Sequence, residues 1–140
     1  MNRFLYEKSV TYQECLIIPF VSGCIDGDDI YSYSLLSEQG YTSHLHQAKN
    51  PAQSYSSKLP KIIAIAKQHL DRQFTLEGSG YFDRRYTYRN NLIILHEEAG
   101  KCFYDHYSPR KLVNIAAPKV FDSADNCIDW IKMGLQRNQI

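Results

Sequence analysis

Residues 92–107 read Leu92-Ile93-Ile94-Leu95-His96-Glu97-Glu98-Ala99-Gly100-Lys101-Cys102-Phe103-Tyr104-Asp105-His106-Tyr107. Two strand-sized segments, 92–98 and 101–107, flank Ala99-Gly100, and glycine tolerates the positive φ that a tight two-residue hairpin loop requires. A turn at 99–100 places Cys102 opposite Glu97 and Phe103 opposite His96. Side chains alternate along a strand, so Cys102 and His96 fall on opposite faces.

Downstream, residues 108–119 form a linker with Pro109 and Pro118, and Leu112-Val113-Asn114-Ile115 is a short strand or buried plug within it. A helix is predicted over 124–136. Ser123 is suited to cap it, and Asp125 favours the positive end of its dipole. Ile128, Ile131 and Leu135 form the buried row, with Trp130 at its margin.

Upstream, residues 86–89 alternate like a short strand. A second helix is predicted over 60–73, where Pro60 suits a first helical turn and Ile62, Ile63, Ala66 and Leu70 make the apolar stripe. Before it, 30–38 alternates Tyr31, Tyr33 and Leu35 against Ser32 and Ser34, and Gln39-Gly40 can return the chain along 41–47. Residues 16–21 read as a strand in which Pro19 implies an edge position or bulge. Residues 2–14 have the composition of a short helix with imperfect spacing.

Superposing Gly40 on Gly100 pairs Leu35 with Leu95, Glu38 with Glu98 and His46 with His106, at an offset of 60. In both halves a hairpin runs through a proline-containing linker into an amphipathic helix. This order predicts an α+β fold, β-β-α-β-β-α after an N-terminal strand or helix. The sheet is expected to be single and predominantly antiparallel, with the helices on one face. One compact domain spanning 1–140 is expected, with two weakly similar hairpin-helix halves at 30–73 and 86–137. A competing arrangement puts 79–107 at the sheet centre and the first hairpin at its periphery.

A chain of 140 residues, 44% hydrophobic and 22% charged, can bury a core without disulfide staples. No segment approaches the ~18 consecutive apolar residues of a membrane span, and the N-terminal residues lack a secretion signal. A cytoplasmic location without a membrane partner is therefore expected. Residues 1–57 carry 3 basic and 6 acidic side chains, and residues 58–140 carry 13 and 9, so the net charge is only +1. That is too little for strong non-specific attraction to nucleic acid. Cys15, Cys24, Cys102 and Cys127 are separated by 8, 77 and 24 residues, which matches no short metal-binding pair, and free, mostly buried thiols are expected. A Cys15–Cys24 bridge is the alternative.

Among candidate sites, His44 and His46 share a strand face at i and i+2 and form a metal-like pair that His106 can extend. Pairing across a 39–40 turn instead puts His44 opposite Leu35 and His46 opposite Tyr33, surroundings suited to ordinary sheet histidines. His96-Glu97-Glu98 has Gly100 where a zincin helix needs its second histidine. Glu98 and Lys101 are expected to pair across the turn. Cys102, His96 and Asp105 have the residue types of a nucleophilic site, but alternation separates the thiol from the imidazole. Gly78-Ser79-Gly80 lacks the context of a nucleotide loop, and no cofactor is expected.

The stretch Tyr81-Phe82-Asp83-Arg84-Arg85-Tyr86-Thr87-Tyr88-Arg89 interleaves aromatics with arginines. Arg84, Arg85, Tyr86, Tyr88 and Arg89 are the interaction candidates, because such residues dominate protein-interface hot spots and also stack on single-stranded nucleic acid. Eleven tyrosines suit a sheet with one uncovered face, for which Tyr31, Tyr33, Tyr41, Tyr104 and Tyr107 are candidates, and such a face predicts a homodimer. The favoured reading is a non-catalytic protein-interaction or regulatory module. A small metal- or cysteine-dependent enzyme and a single-stranded nucleic-acid binder are the alternatives. No family is identified from these residues.

Overall fold

The computed structural model describes residues 3–38, 40, 46–73 and 80–137. Where length favours one domain, the packing divides the chain into two compact units, 1–82 and 83–140. The first holds a 3-10 turn at Tyr6–Lys8, strands β1 (Val10–Tyr12), β2 (Cys15–Ile25), β3 (Asp28–Ser37) and β4 (Ala48–Lys49), and helix α1 (Leu59–Gln73). The second holds β5 (Arg85–Tyr88), β6 (Asn91–Glu98), β7 (Lys101–Ser108), β8 (Lys111–Asn114) and helix α2 (Ala124–Gln136). Each unit is an antiparallel meander, ordered β1-β2-β3-β4 or β5-β6-β7-β8, followed by one helix.

The α+β class, the antiparallel pairing and the strands-then-helix order agree with the sequence reading. The expectation of one sheet carrying both helices does not hold: there are two sheets, each with its own helix. Short turns keep consecutive strands adjacent, so each run of four strands closes as a meander before its helix begins.

The main correction concerns β3. Its hairpin partner is β2, through Asp26-Gly27, where φ is 52° and 85° and Ile25 pairs with Asp28. Two consecutive left-handed residues match the type I′ loop, and Asp-Gly between apolar runs is its strongest sequence signal. A two-residue turn at Gln39-Gly40 would set Leu35 opposite His44, and that register does not hold. β3 ends at Ser37, and the strand paired with it is β4, with Leu35 opposite Ala48. Gln39 and residues 41–45 of the expected return strand lie outside the described residues. At the N-terminus, a 3-10 turn and β1 replace the predicted helix.

Pro19 sits where a missing donor does no harm. The Tyr33 carbonyl accepts from Asn50 N–H at 2.7 Å, so the backbone of Tyr33 faces β4. Pro19, paired with Tyr33, therefore turns its own polar groups away from β3. On that side β1 reaches only Cys15–Ile17, and the Pro19 carbonyl alone is used, accepting from Leu5 N–H at 2.8 Å.

In the first unit Cys15 and Ile17 of β2 and Tyr33 and Leu35 of β3 pack against Ile62, Ala66 and Leu70 of α1. The alternate residues Leu16, Ile18, Phe20 and Leu36 are fully buried as well, and Phe4 packs edge-on against Phe20. In the second unit Ile93, Leu95, Cys102 and Tyr104 pack against Cys127, Ile131 and Leu135 of α2 and against Phe121. Ser123 caps α2 as expected: its Oγ accepts from Asn126 N–H at 3.1 Å. By element order the Ala99-Gly100 turn corresponds to Asp26-Gly27, whereas an offset of 60 sets Gly100 against Gly40.

Candidate functional site

The β6–β7 register sets the geometry of the second unit. Glu97 pairs with Cys102 and His96 with Phe103, as the sequence predicts. On the outer side of β6, Tyr86 pairs with Ile93 and Tyr88 with Asn91, around an Arg89-Asn90 turn at φ 48° and 63°. Tyr86 and Tyr88 consequently share the face of Ile93 that α2 covers. Because β5 is the edge strand, α2 does not reach fully across them. The result is an apolar groove of about 230 Å³ lined by Tyr86, Thr87, Tyr88, Ile93, Ile128, Ile131 and Lys132.

Tyr86 is 45% exposed beside this groove, while Tyr88 is half-buried against the core. Gln136 Nε2 donates to the Tyr88 hydroxyl at 3.0 Å. The Lys132 ammonium lies 5.5 Å from the Tyr88 ring centroid and the Arg89 guanidinium 5.8 Å from it. Hydrogen bonds from Gln136 and then Arg89 hold the Tyr88 phenol below its ordinary pKa.

The five interaction candidates thus separate. Tyr86 and Tyr88 line the groove, and Arg89 lies against the Tyr88 ring without lining it. Arg84 pairs with Glu97 at 3.3 Å, an exposed contact. Arg85 pairs with Ile94 across the strands and belongs to the opposite face. Burial lowers its guanidinium pKa, and Asp83 opposes that shift. The three arginines do not make one basic patch. Ile128 packs against the core row as the sequence predicts and also lines the groove, where Lys132, not foreseen from the sequence, joins it. Their i, i+4 spacing puts them on one helix face, and this was the signal available.

The polar groups of β6 and β7 form two separate networks. On the face away from α2, His96 Nε2 meets Asp105 Oδ2 at 3.0 Å, and Asn114 Nδ2 donates to Asp105 Oδ1 at 2.9 Å. On the α2 face, His106 is fully buried with its Nε2 2.9 Å from Asn91 Oδ1. The Asn91 amide donates to the Tyr88 and Arg89 carbonyls, so its oxygen is the acceptor and His106 Nε2 carries the proton. Nδ1 of this ring has no hydrogen-bond partner among the described residues, and burial lowers the imidazole pKa. Cys102 is buried on the face opposite His96, so that thiol, imidazole and carboxylate do not converge.

His44 lies outside the described residues. His46 does not face Tyr33: its Nδ1 accepts from Ser37 N–H at 3.2 Å, because the connection after β3 is longer than a two-residue turn. Among the described residues no three His, Cys, Asp or Glu side chains gather as metal ligands. Lys101 is opposite Glu98 in the ladder, yet its ammonium pairs with Asp122 at 2.5 Å. The four cysteines are free, Cys24 exposed and the others buried. Of the tyrosines expected on an uncovered face, Tyr33 and Tyr104 are buried beneath the helices and Tyr107 is buried too. Tyr41 lies outside the described residues. Tyr31 is partly buried against the first core, and burial takes Tyr33, Tyr104 and Tyr107 off the uncovered face expected to form a homodimer.

No helix among the described residues is long and apolar enough to cross a membrane. Comparison with protein-family models, curated proteins and solved structures finds no match.

Proposed function

We propose that this chain is a protein-interaction module whose partner docks at the groove between β5 and α2. The observation that carries this reading is the half-exposed Tyr86 beside a concave apolar surface. Interface hot spots concentrate where a rigid aromatic anchor adjoins a pocket that a partner side chain can desolvate. The volume supports a peptide side chain in preference to a large cofactor, since pockets for drug-sized ligands run to ~300–1,000 Å³. The role is regulatory rather than catalytic, a reading supported by the separation of Cys102 from His96.

The test compares proteins retained from a cell extract by the immobilised parent, by Tyr86→Ala and Ile128→Ala, and by Lys111→Ala at the opposite edge of the sheet. A partner held by the parent and Lys111→Ala but weakened about 30-fold by Tyr86→Ala, a hot-spot loss of ~2 kcal/mol, is the expected result. Equal retention by all four folded proteins overturns the proposal.

A further inference from the structure

The groove has a chemical polarity that narrows its partner. Ile93, Ile128 and Ile131 line it together with Lys132, and both Lys132 and Arg89 lie against the ring of Tyr88, itself a lining residue. Neither cation has a carboxylate within 4 Å among the described residues, and Asp129, one turn before Lys132, makes no ion pair with it. Lys132 in the lining and Arg89 beside it are therefore two cations with no ion-paired carboxylate among the described residues.

The second feature is the strand edge. Leu95 N–H donates to the Arg84 carbonyl at 2.8 Å, so residues 84, 86 and 88 point their backbone groups toward β6. Thr87, between them, points its N–H and carbonyl outward from an edge strand. Among the described residues no backbone partner meets these groups. An unpaired edge is a template for an added strand, and side chains on alternate positions of that strand supply specificity. Side chains on the α2 side of such a strand would lie beside Tyr86, Tyr88 and Ile128.

We infer that the partner supplies an extended, acidic segment that pairs with β5, places an apolar side chain in the groove and sets a carboxylate against Lys132 and Arg89. This rests on the docking reading above and adds its charge and backbone conformation. Nucleic acid is the disfavoured occupant, because Arg85 belongs to the opposite face and Arg84 is paired with Glu97.

A displayed library of random heptapeptides, selected against the full chain, tests the inference. Enriched sequences should join an acidic residue to a large apolar one. A synthetic copy N-methylated on alternate residues, which cannot complete the ladder, should bind at least about tenfold more weakly. Lys132→Glu should weaken the acidic peptide about fivefold or more and shift a repeated selection toward basic peptides. Amide spectra check that the variant is folded. Basic or uncharged peptides that still depend on Tyr86 would overturn the acidic strand while leaving the groove as a docking site. Full affinity after N-methylation would overturn strand pairing in the same way. Enrichment indifferent to Tyr86→Ala, or tight binding of an oligouridine probe without any peptide enrichment, would overturn both.

Discussion

The two units follow one recipe, four antiparallel strands and a helix, but spend their side chains differently. In the first, Leu16, Ile17, Ile18 and Leu36 bury both faces of the central strands with aliphatic groups. The second puts His96 with Asp105 on one face and His106 with Asn91 on the other, and leaves Tyr86 exposed at its edge. Apolar packing is forgiving of small rearrangements, whereas a buried polar pair must be satisfied in full or it costs stability. The contrast lies in what is buried: the first unit adds only the small hydroxyls of Ser32, Ser34 and Ser37 to its apolar strands, whereas the second buries an imidazole and an amide.

The largest effect that can sharpen this contrast is in the cores. Leu70 is fully buried beneath the first sheet, while Leu135 keeps some exposure at the end of α2. Leu70→Ala should lower unfolding free energy by ~2–5 kcal/mol, and Leu135→Ala by less, because a site near solvent leaves a smaller cavity. Urea titrations followed by circular dichroism measure both. Equal losses would break the distinction between a sealed core and a more open one.

Acid should act through His106. Its folded pKa lies below the ordinary 6.5 because burial disfavours the charged ring. Below pH 6.5 the unfolded chain then binds more protons than the folded one, so stability falls as pH drops toward the folded pKa and levels off beneath it. His106→Gln, which retains an amide donor for Asn91, should flatten the slope of melting temperature between pH 7.5 and 5.5. An unchanged slope would remove His106 as its source.

The smallest effect lies in the turns. Asp26-Gly27 and Ala99-Gly100 both adopt positive φ twice, but Ala99 at φ 52° lacks the side-chain hydrogen bonding that lets Asp or Asn tolerate that region. Ala99→Asn should stabilise the second unit by roughly 0.5–1 kcal/mol, seen as a higher midpoint in urea. A neutral or destabilising result would show that this turn is not strained.

Much of the second unit was legible because its signals are local. Ala99-Gly100 specified the β6–β7 register, and Ser123 with Ile131 and Leu135 specified α2. The β2–β3 hairpin is equally local, yet the sequence reading pairs β3 with the segment after Gly40 instead of with the strand before Asp26-Gly27. The tyrosines illustrate the converse. Period-2 alternation places Tyr33, Tyr86 and Tyr104 each on a sheet face, but α1 covers Tyr33, α2 covers Tyr104, and α2 stops short of Tyr86.

The sequence by itself determined the two helices, the class of the fold and the β6–β7 pairing across Ala99-Gly100, because propensity, capping and loop geometry act over a few neighbouring residues. Only the tertiary structure decided that the strands make two sheets, that His96 meets Asp105 while His106 meets Asn91, and that Tyr86 borders a groove with Lys132. Those outcomes depend on which strand is an edge and how far a helix reaches across it, and both are set by contacts between residues distant in the chain.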